Sequence, residues 1–318
     1  VDESLCVGCG LCVDACPMKI LEVQDGLCLM TDAGKCLECG TCLRECPEKA
    51  IFLTVGAAGK KGKDIRAAAA KEKENNDAQC TFSPILKTLQ GLLQEAVNPA
   101  QIYTYDGVDI SSLNDFELEG QKCYTRAYMA DKVEKIGISS MNFYGSMTAD
   151  VLIITPGHEY DIPYYVIDWD ESDDHIFFIC DLMPSDDPGR SQHYLSDYLY
   201  GPLEELYMNY SMIPGLKNSV FHWVRAVHSP YIITGTIEKS SRENVDLLFA
   251  CAVDYLKAWL EIWKKAKPGD PNSAGMKLIH ERRQNIRALY QENDPGVGSL
   301  NKFLGDKMAA ISLAIIEP

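Results

Sequence analysis

The 318-residue chain lacks any apolar run approaching the roughly 20 residues that a membrane-spanning helix needs. No G-x-G-x-x-G follows a strand-like run and no phosphate-binding P-loop occurs, so neither a dinucleotide fold nor ATP use is indicated. No H-E-x-x-H pair is present. The six histidines (158, 175, 193, 222, 228 and 280) form no ligand spacing, and each reads first as a structural or surface residue. Positive charge is scarce: 30 Lys and Arg against 46 Asp and Glu give a net charge of −16, the wrong sign for a nucleic-acid partner. No signal peptide is visible, and the chain begins at Val1, so a processed or trimmed start is expected.

Cysteine, by contrast, is abundant and ordered. Cys6, Cys9, Cys12 and Cys16, then Pro17, are spaced C-x2-C-x2-C-x3-C-P. Thirty residues later Cys36, Cys39, Cys42 and Cys46, then Pro47, repeat the pattern. A duplicated run of this kind resembles bacterial-type two-cluster ferredoxins, in which the fourth cysteine of each run ligates the other cluster. One [4Fe–4S] cluster is thus expected on Cys6, Cys9, Cys12 and Cys46, and a second on Cys36, Cys39, Cys42 and Cys16. Gly8, Gly10 and Gly40 allow backbone amides to approach the sulfides. A disulfide scaffold would want a secreted context, and a zinc site needs only four ligands, not two interlocked runs. The other five of 13 cysteines (28, 80, 123, 180 and 251) share no metal spacing and read as buried or inert thiols. Oxygen-sensitive clusters and free thiols together point to a reducing cytoplasm. Residues 1–55 hold nine acids and four bases, a surface that either steers basic redox partners or is simply solvated.

Composition divides the chain into three parts. The ferredoxin repeat, 1–55, closes on the strand-like run 50–55. Residues 56–80, rich in Gly, Ala, Lys and Glu, read as a linker that holds a donor near its acceptor. Residues 81–318 read as α+β, a sheet with helices on both faces, giving an α/β/α sandwich around a central antiparallel sheet. An amphipathic helix is predicted from Pro84 to Val97. Strands are predicted over Cys123–Ala130, Val133–Tyr144, Val151–Thr155, Tyr164–Trp169, Ile176–Asp181 and Val220–Val227. Three helices follow: Ser240–Lys267, opened by a capping box at Ser240-Ser241-Arg242-Glu243, then Ser273–Glu292 and Ser299–Ile316.

One segment is more specific. The run VLIITPGHEYDIPYYVID at 151–168 is followed by Asp181-Leu182-Met183-Pro184, and the run QENDP at 291–295 precedes Leu304-Gly305. In this order the motifs resemble the ferredoxin-dependent bilin reductases and their relative, red chlorophyll catabolite reductase. Those proteins share a strand ending in Pro, a Y-x-x-P turn, a strand ending in a buried aspartate, a D-L-x-P hairpin and a Q-x-N-D turn. The resemblance covers about residues 100–318. It implies an enzyme with no flavin or nicotinamide that reduces a CH–CH double bond of a linear tetrapyrrole such as biliverdin. Electrons arrive singly from ferredoxin, by a radical mechanism, and the protein provides shape and protons.

On that resemblance Asp168 is the candidate proton donor, and Asp294 the second, with Asn293 as its hydrogen-bonding partner. Each also reads more plainly: Asp168 as a strand-end aspartate, and Asn293-Asp294-Pro295-Gly296 as a turn. Arg225 is a candidate for a substrate propionate, or a surface arginine. The tyrosines at 194, 198, 200, 207 and 210 line a flat pocket or, more simply, pack helices. The sequence also departs from the family, because Val151 stands where the best-studied members carry a catalytic His, and Ser139 falls near an upstream acid. The substrate is therefore either a bilin or another conjugated, chlorophyll-catabolite-like molecule. An electron-transfer or tetrapyrrole-binding adaptor is the third reading. In each case an upstream donor must reduce the clusters.

Overall fold

The computed structural model describes residues 1–36, 41–51, 83–118, 120–143, 145–216 and 222–318. Cys39, Gly40, Cys80, most of the expected strand 50–55 and the whole linker 56–80 lie outside the described residues.

The N-terminal module is small. Helix α1 (Leu11–Ala15) and helix α2 (Thr41–Glu45) each follow the first two cysteines of a run and carry the third, Cys12 and Cys42. Between them strands β1 (Leu21–Gln24) and β2 (Leu27–Met30) form a hairpin. Its core is Cys12, Cys16, Ile20, Leu21 and Cys28. Gly8 is required: its φ is +65°, and a Cβ there would strike the backbone of Gly26.

The second domain begins with helix α3 (Pro84–Ala96). Ser83 caps it, its Oγ accepting from the Leu86 amide at 3.4 Å, and Ile85, Leu86, Leu89 and Leu93 form the buried stripe. Among the described residues eight strands make one antiparallel sheet: β3 (Ala100–Ile102), β4 (Phe116–Leu118), β5 (Gln121–Ala130), β6 (Val133–Phe143), β7 (Met147–Pro156), β8 (Tyr164–Ser172), β9 (His175–Met183) and β10 (Ile233–Glu238). The spatial order is β10-β9-β8-β7-β6-β5-β3, with β4 on β5. From β5 to β9 the strands form a meander of consecutive antiparallel pairs.

Side chains alternate between the faces, as the pleat demands. On β8, Tyr165, Ile167 and Trp169 enter the larger core, beneath α3, α4 (Gly201–Tyr210) and α6 (Arg242–Lys265). Tyr164, Val166, Asp168 and Asp170 fall on the opposite face, which is covered by α5 (His222–Val227), α7 (Ala274–Asn293), α8 (Pro295–Leu304) and α9 (Asp306–Ile316). The larger core is pinned by hydrogen bonds from Trp259 Nε1 to the Pro163 carbonyl at 2.8 Å and from Tyr165 Oη to the Ala252 carbonyl at 2.9 Å. The fold is the expected α/β/α sandwich. Among the described residues no helix is long and apolar enough to cross a membrane.

Several local expectations are corrected. Of the expected strand Val220–Val227 the described residues, 222–227, form helix α5 instead, burying Val224 and Val227 at helical spacing and exposing Arg225. The edge strand is instead β10, whose β-branched pattern is broken by Gly235. The last predicted helix is two, α8 and α9, divided at Gly305 with φ +74°. The capping box does not form. Ser241 is the N-cap, without a side-chain bond, and Asn244 hydrogen-bonds the Pro214 carbonyl instead. Strand β8 also runs on to Ser172, three residues beyond its expected end.

The N-terminal module touches the second domain beside α8. Met18 packs against the cluster that contains Leu118, Met141 and Leu300, and Lys302 Nζ donates to the Cys36 carbonyl at 2.8 Å.

Candidate active site

A cavity of about 520 Å³ lies between the sheet and the layer of α5 and α7–α9. That is within the roughly 300–1,000 Å³ of organic-ligand sites. Strand register places its floor. Ser139 pairs with Val151, Val151 with Asp168, and Asp168 with Ile179, so all four lie in one row across β6–β9 and line the cavity. Asp170, two residues along β8, joins the same face. Tyr290 and Asp294 come from the roof, as do Trp223 and Leu300. The end of α1 and the Cys16-Pro17 turn that follows it in the N-terminal module supply part of the wall.

Acids dominate the polar lining. Asp168 is held well above the ordinary carboxylate range, first by burial, then by the charges of Asp170, Asp294 and, on the other face of the sheet, Asp150. Its hydrogen bond to Asp170 favours the same protonated form. Asp170 is pushed up to about 7 by burial and by Asp294 and Asp150, while its bond with Asp168 opposes the rise. Glu317 follows α9 and lines the cavity with neither carboxyl oxygen hydrogen-bonded. Burial and Asp294 raise it to about 8, against the pull of Lys135 and Arg287. Helix α9 comes this close because Gly137 has no side chain, and a Cβ there would collide with the Ile315 carbonyl.

Asp294 caps α8, accepting from the Gly296 amide at 2.6 Å, and also faces the cavity, so the turn and the site are the same residue. Asn293 turns its amide back onto the Leu289 carbonyl at 2.9 Å and is not part of the lining. Arg225 lies on the exposed side of α5, outside the lining. Tyr194, Tyr198 and Tyr210 belong to the other layer, bonded to Ser185, Asp161 and Asp254 respectively, so they serve packing.

Unforeseen in the sequence is a buried network behind Tyr290. Its Oη lies 2.8 Å from His228 Nε2, and His228 Nδ1 lies 3.0 Å from Asp181 Oδ2. Asp181 also accepts from the Ser229 amide at 2.7 Å and from Ser229 Oγ at 2.5 Å. The ring of Trp223 stands edge-on to Tyr290 at 4.9 Å.

The cysteine module suits iron–sulfur clusters. Cys6, Cys9, Cys12 and Cys46 border one hollow together with Cys28, whose Sγ lies 3.3 Å from Cys12 Sγ. Backbone amides aim at its sulfurs, Cys28 N at Cys6 Sγ (3.4 Å) and Ala50 N at Cys46 Sγ (3.3 Å). Among the described residues no three His, Cys, Asp or Glu side chains converge as they would on a single metal ion. For the second set, Cys16, Cys36 and Cys42 are described and Cys39 is not.

The fold and site together define a redox protein: an iron–sulfur module joined to an α/β/α sandwich with an acid-lined ligand cavity. The family follows from comparison. The model of the ferredoxin-dependent bilin reductases matches residues 111–311, and the chain belongs to that family. The 4Fe-4S binding domain model matches residues 1–22 and 29–52. Phycoerythrobilin:ferredoxin oxidoreductase of Gloeobacter violaceus is 24% identical over 189 residues, covering 56% of this chain and 71% of that protein. Ferredoxin-2 of Desulfomicrobium norvegicum is 54% identical over 26 residues, 8% of this chain and 44% of its own length. Among solved structures, phytochromobilin synthase from tomato, in complex with biliverdin, shares the fold. The TM-score is 0.54 at 19% identity, covering 79% of this chain and 80% of that one.

Proposed function

We propose that this chain reduces a double bond of a linear tetrapyrrole with electrons delivered by its own N-terminal domain, residues 1–55. The observation that carries the proposal is a single cavity bounded by Asp168, Asp170 and Asp294 and also by the Cys16-Pro17 loop. In this reading Cys6, Cys9, Cys12 and Cys46 hold one [4Fe–4S] cluster, and Cys36, Cys39, Cys42 and Cys16 hold another. When bound, the clusters supply electrons one at a time.

The chain's residues then govern protons. Asp168 holds its proton to higher pH than an ordinary aspartate, because burial and its neighbours disfavour the anion. It is placed to donate that proton to the bound substrate, which raises the electron affinity of the conjugated system. Asp294 is the second donor candidate, with Asn293 fixing the end of α7 behind it. Arg225, next to Val224 of the cavity wall, is the candidate for a propionate reaching the rim. The apolar walls around Met141 and Leu300 exclude water.

One observation favours keeping a second substrate class. Val151, opposite Asp168 in the register, offers no proton where better-studied relatives carry His. The same cavity thus also suits another conjugated or chlorophyll-catabolite-like molecule.

The test is anaerobic mixing of the iron–sulfur-loaded chain with biliverdin, followed by reductant. A shifted bilin band that bleaches in the wild type but persists in Asp168→Asn supports the reading. Bilin binding without turnover under strong reductant would sink it.

A further inference from the structure

The cavity has a second proton source besides its acids. We infer that Asp181, His228 and Tyr290 form a proton line ending at the Tyr290 hydroxyl, and that this line delivers one of the two protons the reduction consumes. The inference deepens the proposed bilin reduction and rests on it.

The geometry is continuous: Asp181 Oδ2 to His228 Nδ1 at 3.0 Å, then His228 Nε2 to Tyr290 Oη at 2.8 Å. The side chains of Asp181 and His228 are fully buried, whereas Tyr290 lines the cavity. Three donors converge on the Asp181 carboxylate: His228 and both groups of Ser229. This assigns Nδ1–H to the Asp181 side and leaves Nε2 for the tyrosine. Tyr165 and Tyr255 end on the backbone carbonyls of Ala252 and Tyr231, and Tyr210 ends on the Asp254 carboxylate. A packing role requires nothing more than that. Tyr290 instead ends on imidazole, the side chain that exchanges a proton near neutral pH.

The step balances. With His228 as imidazolium, Nε2–H donates to Tyr290 Oη, and the phenolic O–H turns toward the substrate. The O–H proton passes to the substrate as the Nε2 proton passes to Oη. His228 ends neutral, Tyr290 ends as phenol, and Asp181 still holds Nδ1–H. Tyrosinate never accumulates, which suits a phenol held well above its ordinary pKa by burial and by the acids around it. Those acids are Asp168 from β8, Asp181 from β9, Asp294 at the end of its own helix and Glu317 beyond α9. Arg282 on α7 donates to the Val227 carbonyl at 3.1 Å beside His228.

The experiment is single turnover of biliverdin by the full iron–sulfur-loaded chain, with optical and paramagnetic detection across about pH 5.5–8.5. Tyr290→Phe and His228→Gln should keep the bilin-binding spectrum and the first reduction. They should then slow the later proton-dependent step by about 10²-fold or more and accumulate a one-electron-reduced substrate. His228→Gln should also remove one limb of the pH profile. Tyr290→Phe keeps the ring against Trp223, so it reads the hydroxyl alone even if His228→Gln folds poorly. Wild-type rates with an unchanged pH profile in Tyr290→Phe would overturn the line while leaving bilin reduction intact. A wild type that binds bilin and never reduces it would overturn both.

Discussion

Replacing Asp170 with Asn tests whether the cavity acids are held protonated against their preference. Asp170 sits at about 7, where an ordinary aspartate sits near 3.8. Above about pH 4 the unfolded chain releases this proton and the folded chain keeps it. The folded state then binds more protons, so its stability falls as pH rises, until the loss is complete above about 7. At about 1.36 kcal/mol per pKa unit, the gap corresponds to a cost on the order of 4 kcal/mol at pH 8.5 and about 2 kcal/mol at pH 5.5. Asn has the same shape and no charge, so the variant escapes this cost. The stability difference, Asp170→Asn minus wild type, should widen by about 2 kcal/mol between pH 5.5 and 8.5. Urea unfolding followed by fluorescence of the buried Trp169 and Trp259 measures it in the reductase domain. The substitution also removes the largest neighbouring charge acting on Asp168, so the alkaline limb of turnover should move to lower pH. A stability difference that is the same at both pH values would refute the reasoning, because it would mean that Asp170 titrates alike in folded and unfolded chains.

Three further outcomes follow from other parts of the molecule. Asp168→Asn should bind bilin with an unaltered spectrum and lose about 10²–10⁴-fold in turnover, the usual contribution of a positioned proton donor; single-turnover kinetics check this. Gly137→Ala should destabilise the domain by about 1–3 kcal/mol in urea unfolding, because its methyl meets the Ile315 carbonyl on a rigid helix end and must push α9 off the sheet. Cys16→Ser should lower the iron and sulfide content of the reconstituted chain by about one cluster of the two proposed, and unchanged iron content would remove Cys16 from the ligand set.

The sequence made the cysteine module and the meander legible because both are periodic: a fixed ligand spacing in one, alternating strands broken by turns in the other. Asp168 was also readable, since it closes an apolar strand inside a recognisable motif. Asp170 was not. The acidic run from Asp170 to Asp174 looks like a turn, yet pairing with β9 to Glu171 and with β7 to Ser172 extends β8 and turns Asp170 to the same face as Asp168. Helix α5 was misread because Val220–Val227 is rich in β-formers, and its tertiary burial at Val224 and Val227 overrode that propensity. His228 gave no local signal at all. Its partners Asp181 and Tyr290 lie 47 and 62 residues away in sequence, and only the packing of α5 and α7 against β9 joins them. Glu317 is similar: a lone acid after an apolar helix carries no periodicity that marks it as lining a cavity.

On the proposed reading, the two reactants enter the cavity from different sides, and the lining reflects what each requires. Proton transfer needs unbroken hydrogen bonds to the substrate. The Asp168–Asp170 pair on the sheet and the Tyr290–His228–Asp181 line in the roof offer them. Electron transfer needs nearness but no hydrogen-bonded chain, and the wall beside Cys16 and Pro17 is flanked by Met141, Phe143, Met147 and Leu300. Fusing the donor to the acceptor raises its effective concentration by linkage alone, so the last electron step needs no encounter between separate proteins, while an upstream donor still reduces the clusters. Proton delivery becomes the step left for the cavity to control. The loss of a histidine at Val151 then has a physical remedy in the same site, because a different histidine, His228, reaches the cavity through a tyrosine.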